Sequence, residues 1–186
     1  KRKKESAIDK IEKNLEIALE KKITSKLANL ENQFSLRKCN NKDIFAMAKI
    51  YQAVFPSYPF PIHDPSYLLK TMQTHINYFG IETDGQLIAI SSAEIDNQNS
   101  NVEMTDFATL PKYRGNNFSL HLLAQMETEM KKQNIKTTYT IARAMSPGMN
   151  ITFSKTGYKF GGRLKNNTNI SGKIESMNVW YKPLKS

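Results

Sequence analysis

The sequence predicts a mixed α/β domain built around a central sheet, and three observations lead to this prediction. Segments of alternating or β-branched apolar residues are interleaved with segments whose apolar residues recur every three or four positions. The predicted order is strand, two helices, three strands, helix, strand, helix and two strands, without an internal repeat. The chain has 186 residues, 39% of them hydrophobic and 24% charged, which suits one folded domain with an appended helix.

Local patterns place the individual elements. Asp84-Gly85 lies between two strand-like segments and predicts a type I′ hairpin turn. Asp64 followed by Pro65 is typical of a capped helix start, and the four prolines of residues 56–65 end the preceding helix. The predicted strands are residues 33–39, 76–82, 86–94, 102–110, 137–142, 158–164 and 177–182, and the predicted helices are residues 44–55, 67–74, 120–133 and 147–156, with a polar loop at residues 166–172.

An amphipathic helix is predicted before the first strand, from about residue 6 to residue 30. Its apolar residues occupy one face and its charged residues occupy the other. The apolar face could pack on the domain, on a segment outside this sequence, or on a second subunit to give a homodimer. We therefore divide the chain into a helical region, residues 1–32, and a main domain, residues 33–186. The apolar residues that define the face are Ile8, Ile11, Leu15, Leu19, Ile23, Leu27 and Leu30.

The charge of the chain narrows the classes of partner. The formal net charge is +10, which attracts nucleic acid, an anionic membrane face or a phosphorylated cofactor. No arginine-rich cluster, zinc-finger pattern or basic-aromatic RNA motif is present, so the sequence does not favour nucleic acid. If nucleic acid did bind, the basic residues 1–4 would form the arm that contacts it.

Several other classes are excluded or disfavoured. No apolar run approaches the ~18 residues that span a bilayer, and no secretory signal opens the chain. Cys39 is the only cysteine, so an internal disulfide is excluded and a reducing cytoplasm is expected. His63, His75 and His121 share no ligand spacing, and we expect no metal.

The segment with the clearest chemistry is a strand, a polar loop and a helix. The loop, residues 111–117, precedes a helix whose first backbone N–H groups and dipole favour an anion. Arg114 adds a full positive charge. The pattern therefore predicts a phosphate site, and an ordinary helix cap is the alternative.

This segment resembles the pyrophosphate loop of the GNAT N-acetyltransferases. Their pattern is an apolar strand, then P-x-Y-R-G-x-G-x-G/A, then a helix. Pro111 and residues 113–115 match it, whereas Asn117 and Ser119 stand where the family usually has glycine and glycine or alanine. Asn tolerates a left-handed backbone better than other non-glycine residues, so we expect the loop to keep its shape.

The resemblance extends over residues 33–184, and within the family the chain is similar to one subgroup, the β-lysine N-acetyltransferases. It rests on residues 103–115 (EMTDFATLPKYRG), 139–154 (YTIARAMSPGMNITFS) and 175–184 (ESMNVWYKPL). The resemblance implies the GNAT acyl-CoA N-acyltransferase fold, a mixed and mostly antiparallel sheet flanked by helices. It also implies acetyl-CoA as cosubstrate, the side-chain amine of β-lysine as acceptor, and a zwitterionic compatible solute as product.

Two other functions stay open. The acceptor could be another small amine, such as a polyamine or lysine. The chain could also be a CoA-binding regulatory module without turnover, because Asn117, Ser119 and Phe153 depart from the family pattern.

Catalysis requires a base, because an alkylammonium with a pKa near ~10.4 must lose a proton before it attacks a thioester. Glu103 lies where the family often places its general base. Asp106 is a carboxylate in an apolar stretch and could be the base or hold a substrate ammonium. Strand alternation predicts that Glu103 and Phe107 share one face with Thr105, while Met104, Asp106 and Ala108 occupy the other.

The leaving thiolate often receives a proton from a tyrosine in this family. Phe153 stands at that position and cannot donate, so water, Tyr158 or Tyr139 could act, or the thiolate could leave unprotonated. A backbone N–H near residues 107–109 is expected to bind the oxyanion. The residues that the resemblance assigns to the cofactor are Phe107, Ala108, Thr109, Arg114, Gly115, Asn116, Asn117, Phe118, Ser119, Asn150 and Phe153.

A zwitterionic diamine also needs partners for its charged ends. Arg143 is the candidate for the substrate carboxylate, although pairing with Asp106 is the structural alternative. Residues 58–61 are either a lid over the acceptor or a plain connector. Further candidates for a cationic acceptor are Asp106, Glu94, Glu175 and Asn178.

Overall fold

The computed structural model describes residues 6–24 and 26–184, and within them seven strands form one sheet in the order β1-β2-β3-β4-β5-β7-β6. Five helices flank it, together with 3₁₀ turns at Asn41–Asp43 and Pro111–Tyr113. The strands are β1 (Ser35–Lys38), β2 (Ile76–Thr83), β3 (Gln86–Asp96), β4 (Asn101–Thr109), β5 (Thr137–Arg143), β6 (Lys159–Ile170) and β7 (Lys173–Pro183). The helices are α1 (Ala7–Leu19), α2 (Ile44–Val54), α3 (Pro65–Met72), α4 (Phe118–Lys132) and α5 (Pro147–Lys155).

The pairing of β4 with β5 is the feature of the sheet that creates a site. All other neighbouring strands are antiparallel, whereas β4 and β5 are parallel and pair only at residues 101–103 with residues 137–139. Beyond that point both strands continue and line opposite walls of a cleft. The predicted mixed, mostly antiparallel sheet is confirmed.

A β-bulge in β4 changes which side chains share a face. Ser92 pairs with Thr105 and Ile90 with Ala108, so two residues of β4 oppose one residue of β3, and Asp106 has a left-handed φ of 54°. Asp106 therefore reaches Ser92, on the face of Thr105. The expected alternation was wrong beyond Thr105, because one inserted residue reverses the faces that follow it.

Two apolar cores cover the two faces of the sheet. On one face α4 and α5 pack over β4, β5 and β7, around Met126, Phe153 and Trp180, which have no exposed surface. On the other face α2 and α3 pack over β2 and β3, around Met47 and Leu68. None of the helices in residues 6–24 and 26–184 is long and apolar enough to cross a bilayer.

The first helix is shorter than predicted and lies on the domain. A capping box between Ser6 and Asp9 starts α1, and the helix ends at Leu19 instead of residue 30. Beyond the end of the helix, the Thr24 N–H donates to the carbonyl of Lys155 at the end of α5, at 2.8 Å. Ala18 is fully buried against the core. The apolar face of α1 therefore contacts the domain, which is one of the three packing partners considered from the sequence.

The predicted turn at Asp84-Gly85 is confirmed, and the predicted loop at residues 166–172 is wrong. Asp84 and Gly85 both have positive φ, 49° and 72°, as a type I′ turn requires. Residues 166–172 are not a loop, because β6 runs to Ile170 and β7 starts at Lys173 with a tight turn at Ser171-Gly172 between them. Polar residues hide this hairpin in the sequence, since most of them face solvent.

Candidate active site

The cleft between β4 and β5 has a volume of about 640 Å³. Its walls come from the ends of these two strands, the start of α4, and α5. The segment after α2 closes one end, together with Ile170 and Met177 of the β6–β7 hairpin. Of the residues predicted for the cofactor, those that line the cleft are Phe107, Thr109, Arg114, Gly115, Asn116, Asn117, Phe118, Ser119 and Phe153.

The loop before α4 has the geometry of an anion site. Gly115 has φ +92° and Asn117 lies in the left-handed region at φ 56° and ψ 24°, which confirms that asparagine keeps the loop shape without glycine. Asn117 makes no capping bond with its side chain, so the first N–H groups of α4 lack that partner. The Asn116 side chain donates to the carbonyl of Tyr113 at 2.9 Å and braces the loop.

Arg114 and Ser119 complete this end of the cleft. Arg114 is exposed, and its Nε donates to the Thr109 carbonyl at 3.4 Å. The hydroxyls of Ser119 and Thr152 are 3.1 Å apart and join α4 to α5. Ala108, by contrast, is buried on the opposite face and does not line the cleft.

Glu103 lies where β4 and β5 separate, opposite Glu94 on β3 and Tyr139 on β5. Burial, followed by the charges of Glu94 and Asp106, raises its pKa from the usual 4.5 to about 7. The backbone N–H of Ile141 hydrogen-bonds the carboxylate, which opposes this rise in pKa. Ile141 lines the cleft, whereas Glu103 is not among its lining residues.

Asp106 lines the cleft and is held by hydroxyl groups. Ser92 donates to one carboxylate oxygen at 2.5 Å, and Tyr58 from the segment after α2 donates to the other. Burial raises the pKa of Asp106 above its usual range, although these hydrogen bonds act to lower it. The sequence contains no pattern that joins Ser92 or Tyr58 to Asp106, because the bulge creates this contact.

Arg143 and Glu175 form a two-pronged ion pair. Nε and Nη2 of Arg143 each donate to one oxygen of Glu175 at 2.9 Å, and the Glu175 side chain is 2% exposed. Glu175 does not line the cleft, and the ammonium of Lys173 lies 3.7 Å from one of its oxygens, so its contacts are with side chains of the protein and it positions Arg143. Arg143 itself lines the cleft. Arg143 thus pairs with Glu175 and not with Asp106, which was the alternative partner.

Asn150 and Asn178 were predicted to bind cofactor and substrate, but the structure places both outside the lining of the cleft. The Asn150 amide donates to the carbonyls of Arg143 and Ser146 at 3.0 and 2.7 Å. Its oxygen accepts from Asn178 at 2.8 Å and from the indole of Trp180 at 2.9 Å. Both asparagines are fully buried, so these amides tie α5 to β7.

Tyr158, one of the candidates for protonating the thiolate, also lies outside the lining of the cleft. Its hydroxyl accepts from Thr138 at 2.8 Å within the core, and the residue is 4% exposed. Its ring packs edge-on against Phe153, with centroids 5.0 Å apart. Phe153 lines the cleft and meets Phe107 in a second edge-on contact, at 5.8 Å. The tyrosine lies behind the phenylalanine, which separates it from the cleft.

The comparisons with known proteins agree with this geometry. Residues 46–147 match the model of the acetyltransferase (GNAT) family. The chain is 50% identical over 153 residues to the beta-lysine N(6)-acetyltransferase of Methanococcus maripaludis, covering 82% of this chain and 56% of that protein. It is 38% identical over 157 residues to the Methanosarcina mazei protein of the same name, covering 84% and 58%. The chain thus spans a little over half the length of these relatives.

The fold comparison points the same way. The crystal structure of the ribosomal-protein-S18-alanine N-acetyltransferase from Escherichia coli superposes with a TM-score of 0.71 at 14% identity, covering 82% of this chain and 95% of that one. The chain and this Escherichia coli enzyme share one fold. In the chain, that fold carries the cleft, the anion loop and the bulged β4. Together with the match of the family model over more than half of the sequence, these findings show that the chain belongs to the GNAT acetyltransferase family.

Proposed function

We propose that this chain transfers the acetyl group of acetyl-CoA to the side-chain amine of β-lysine. The observation that carries the proposal is Glu103, a carboxylate with a pKa of about 7 at the point where β4 and β5 separate. Two relatives at 50% and 38% identity, which bear the name of this activity, support the choice of acceptor. The product would carry one ammonium and one carboxylate, which suits a compatible solute.

The residues at the α4 end of the cleft fit acetyl-CoA. A loop with Gly115 at φ +92° and an uncapped helix start offers N–H groups to the pyrophosphate, and Arg114 adds charge. Acetyl-CoA supplies the acetyl group as a thioester, whose carbonyl carbon accepts a nucleophile. Backbone N–H groups after the bulge, at Phe107 and beyond, are the donors that this site can offer to the carbonyl oxygen.

Glu103 is the residue that we assign as the base, and because it does not line the cleft it would take the proton through one water molecule. An alkylammonium with a pKa near ~10.4 loses a proton to a carboxylate whose pKa is near neutrality more readily than to one at 4.5. The free amine then forms the N–C bond, the C–S bond breaks, and the second proton of the amine nitrogen leaves to water as the amide forms. Phe153 has no proton to give, Tyr158 is turned into the core and Tyr139 does not line the cleft, so the thiolate takes its proton from water or leaves unprotonated.

The acceptor end of the cleft offers partners for the other charges of β-lysine. Asp106 lines the cleft, and its ionised form can accept from the second ammonium with the lone pairs that Ser92 and Tyr58 leave free. Arg143 uses Nε and Nη2 on Glu175 and retains N–H groups on Nη1 for the carboxylate. Ile141 and Met177 also line the cleft and offer apolar side chains to the methylene chain.

The test is the release of CoA thiol from acetyl-CoA with β-lysine, lysine, spermidine and an N-terminal peptide amine. We expect selective release with β-lysine, confirmed by the mass of the acetylated product. Faster release with spermidine or lysine would overturn the choice of acceptor. Binding of acetyl-CoA by calorimetry without release from any amine would instead support a CoA-binding module.

A further inference from the structure

Two segments meet over the acceptor end of the cleft. The segment after α2, residues 55–64, is here called the roof loop, and the turn between β6 and β7, residues 170–173, is the hairpin tip. The Gly172 N–H donates to the Ser57 hydroxyl at 2.7 Å, and the Ser171 N–H donates to the Ser57 carbonyl at 3.3 Å. Ile170, next to this contact, is 4% exposed and lines the cleft. One residue therefore fastens the roof loop to the hairpin tip.

A second contact fastens the roof loop to the floor of the cleft. The Tyr58 hydroxyl donates to Asp106 on β4. The rings of Phe55 and Tyr58 pack with centroids 4.9 Å apart, and both line the cleft. The roof loop is thus tied to the hairpin tip on one side and to the bulged strand below.

The sequence of the roof loop limits its freedom to open. Pro56, Pro59 and Pro61 each fix a backbone φ and remove an N–H donor, which reduces the conformations that an open loop could gain. Ile62 is 2% exposed and anchors the far end in the core under α2 and α3. The loop is therefore held at both ends and stiff between them.

From this geometry we infer that Ser57 and Tyr58 make the site specific for free amino acids and exclude a lysine within a polypeptide. The inference rests on the proposed function, since it concerns the acceptor of the same reaction. A lysine in a polypeptide is bonded to further residues through its backbone nitrogen and its backbone carbonyl. Those neighbouring residues would have to pass the fastened roof loop. A free diamino acid ends there and can be enclosed. Ser57 is a positioning residue in this scheme, because it acts through the roof loop.

The first experiment compares free β-lysine with lysine inside a blocked tripeptide as acceptors. We expect the natural chain to acetylate the free amino acid and not the tripeptide. Ser57→Ala should raise the KM for β-lysine about two- to tenfold, as expected for one lost hydrogen bond, with little change in kcat or in the KM for acetyl-CoA. The same variant should lower the preference against the tripeptide, and Ser57→Thr, which keeps the hydroxyl, should restore it.

Ser176→Ala is the matched control. The Ser176 hydroxyl accepts the Asn166 N–H at 3.1 Å, so it also binds a backbone N–H of the β6–β7 hairpin, but it joins only β6 to β7. Equal effects of Ser57→Ala and Ser176→Ala on the KM for β-lysine would overturn the role of Ser57. Tripeptide turnover by the natural chain at the rate of free β-lysine would overturn the exclusion of polypeptides.

A binding measurement separates this inference from the proposed reaction. Two probes carry CoA linked through a carbonylmethyl group to the side-chain nitrogen, either of free β-lysine or of the tripeptide lysine. The roof predicts tight calorimetric binding of the first probe and at least tenfold weaker binding of the second, whether or not the chain turns over. Absent turnover with this binding difference would refute the proposed function alone, whereas equal binding would refute the roof alone.

Discussion

Replacing Glu103 by Gln should make the protein more stable at alkaline pH while slowing catalysis. Burial, followed by the charges of Glu94 and Asp106, raises the pKa of Glu103 from 4.5 to about 7 in the folded chain. The folded state therefore binds a proton more tightly than the unfolded state does. The stability that this proton contributes is fully present at low pH and is lost as the pH rises from 4.5 to about 7. Ionised Glu103 therefore destabilises the fold above that window.

The size of this effect follows from the shift in pKa. A change from 4.5 to about 7 corresponds to as much as about 3 kcal/mol of unfolding free energy at pH 8, at 1.36 kcal/mol for each pKa unit. At pH 4.5 both forms of the protein hold a neutral group at this position, so the difference between them should nearly vanish. Urea unfolding of the natural chain and of Glu103→Gln at pH 4.5 and pH 8 measures both values.

Activity should move in the opposite direction. The natural chain should show a rise of kcat/KM with an inflection near pH 7, and Glu103→Gln should remove this inflection and lower the rate about 10²- to 10⁴-fold at pH 7. Part of the rate should return above pH 8, because the fraction of unprotonated amine grows tenfold for each pH unit. Glu94→Gln should move the natural inflection to lower pH, since Glu94 is the charge that most raises the pKa of Glu103.

Glu16→Gln, a change at an exposed carboxylate of α1, serves as the control for both measurements. If Glu103→Gln shows the same pH dependence of unfolding as the Glu16 variant, Glu103 is not the buried, raised carboxylate described here. If it keeps the natural inflection in kcat/KM, Glu103 is not the base. The two outcomes are independent, so the electrostatic and the catalytic arguments can fail separately.

Three further changes test other parts of the site. Arg114→Ala should raise the KM for acetyl-CoA and leave that for the amine unchanged in steady-state kinetics, because its charge lies at the anion loop; a change in the amine KM alone would contradict this placement. Tyr58→Phe removes a donor that lowers the pKa of Asp106, so the pH at which amine binding strengthens should rise, as a pH series of amine KM values would show. Asn150→Ala leaves the indole of Trp180 and other buried groups unpaired and should cost about 2–4 kcal/mol in urea unfolding; an unchanged midpoint would refute the structural role.

The fold was predictable from the sequence where local chemistry decides it. The left-handed pair Asp84-Gly85 and the cap at Asp64 depend on residues that are neighbours in the chain, and both formed as expected. The first helix was predicted too long because its apolar spacing continues to Leu30, whereas the helix ends at Leu19 and the Thr24 N–H bonds to Lys155. The β6–β7 hairpin was missed because its polar residues give no periodic pattern.

The site divides along the same line. The loop of Arg114 and Gly115 is contiguous in sequence, so its shape and its position before α4 were both predicted. The roles of Asn150, Asn178 and Tyr158 were not, because a residue type does not reveal which buried partners it meets. Those partners lie on other elements, up to 30 positions away in the chain.

What the sequence determined by itself is the order of elements, the anion loop and the family to which they belong, since each depends on residues that interact within a few positions. Tertiary structure alone decided that β4 carries a bulge, which turns Asp106 toward Ser92 and Tyr58. It also decided that Glu103 loses enough water, beside two other carboxylates, to acquire a pKa of about 7. The physical reason is that desolvation and charge proximity depend on distances across the sheet, which are fixed only when the strands have paired.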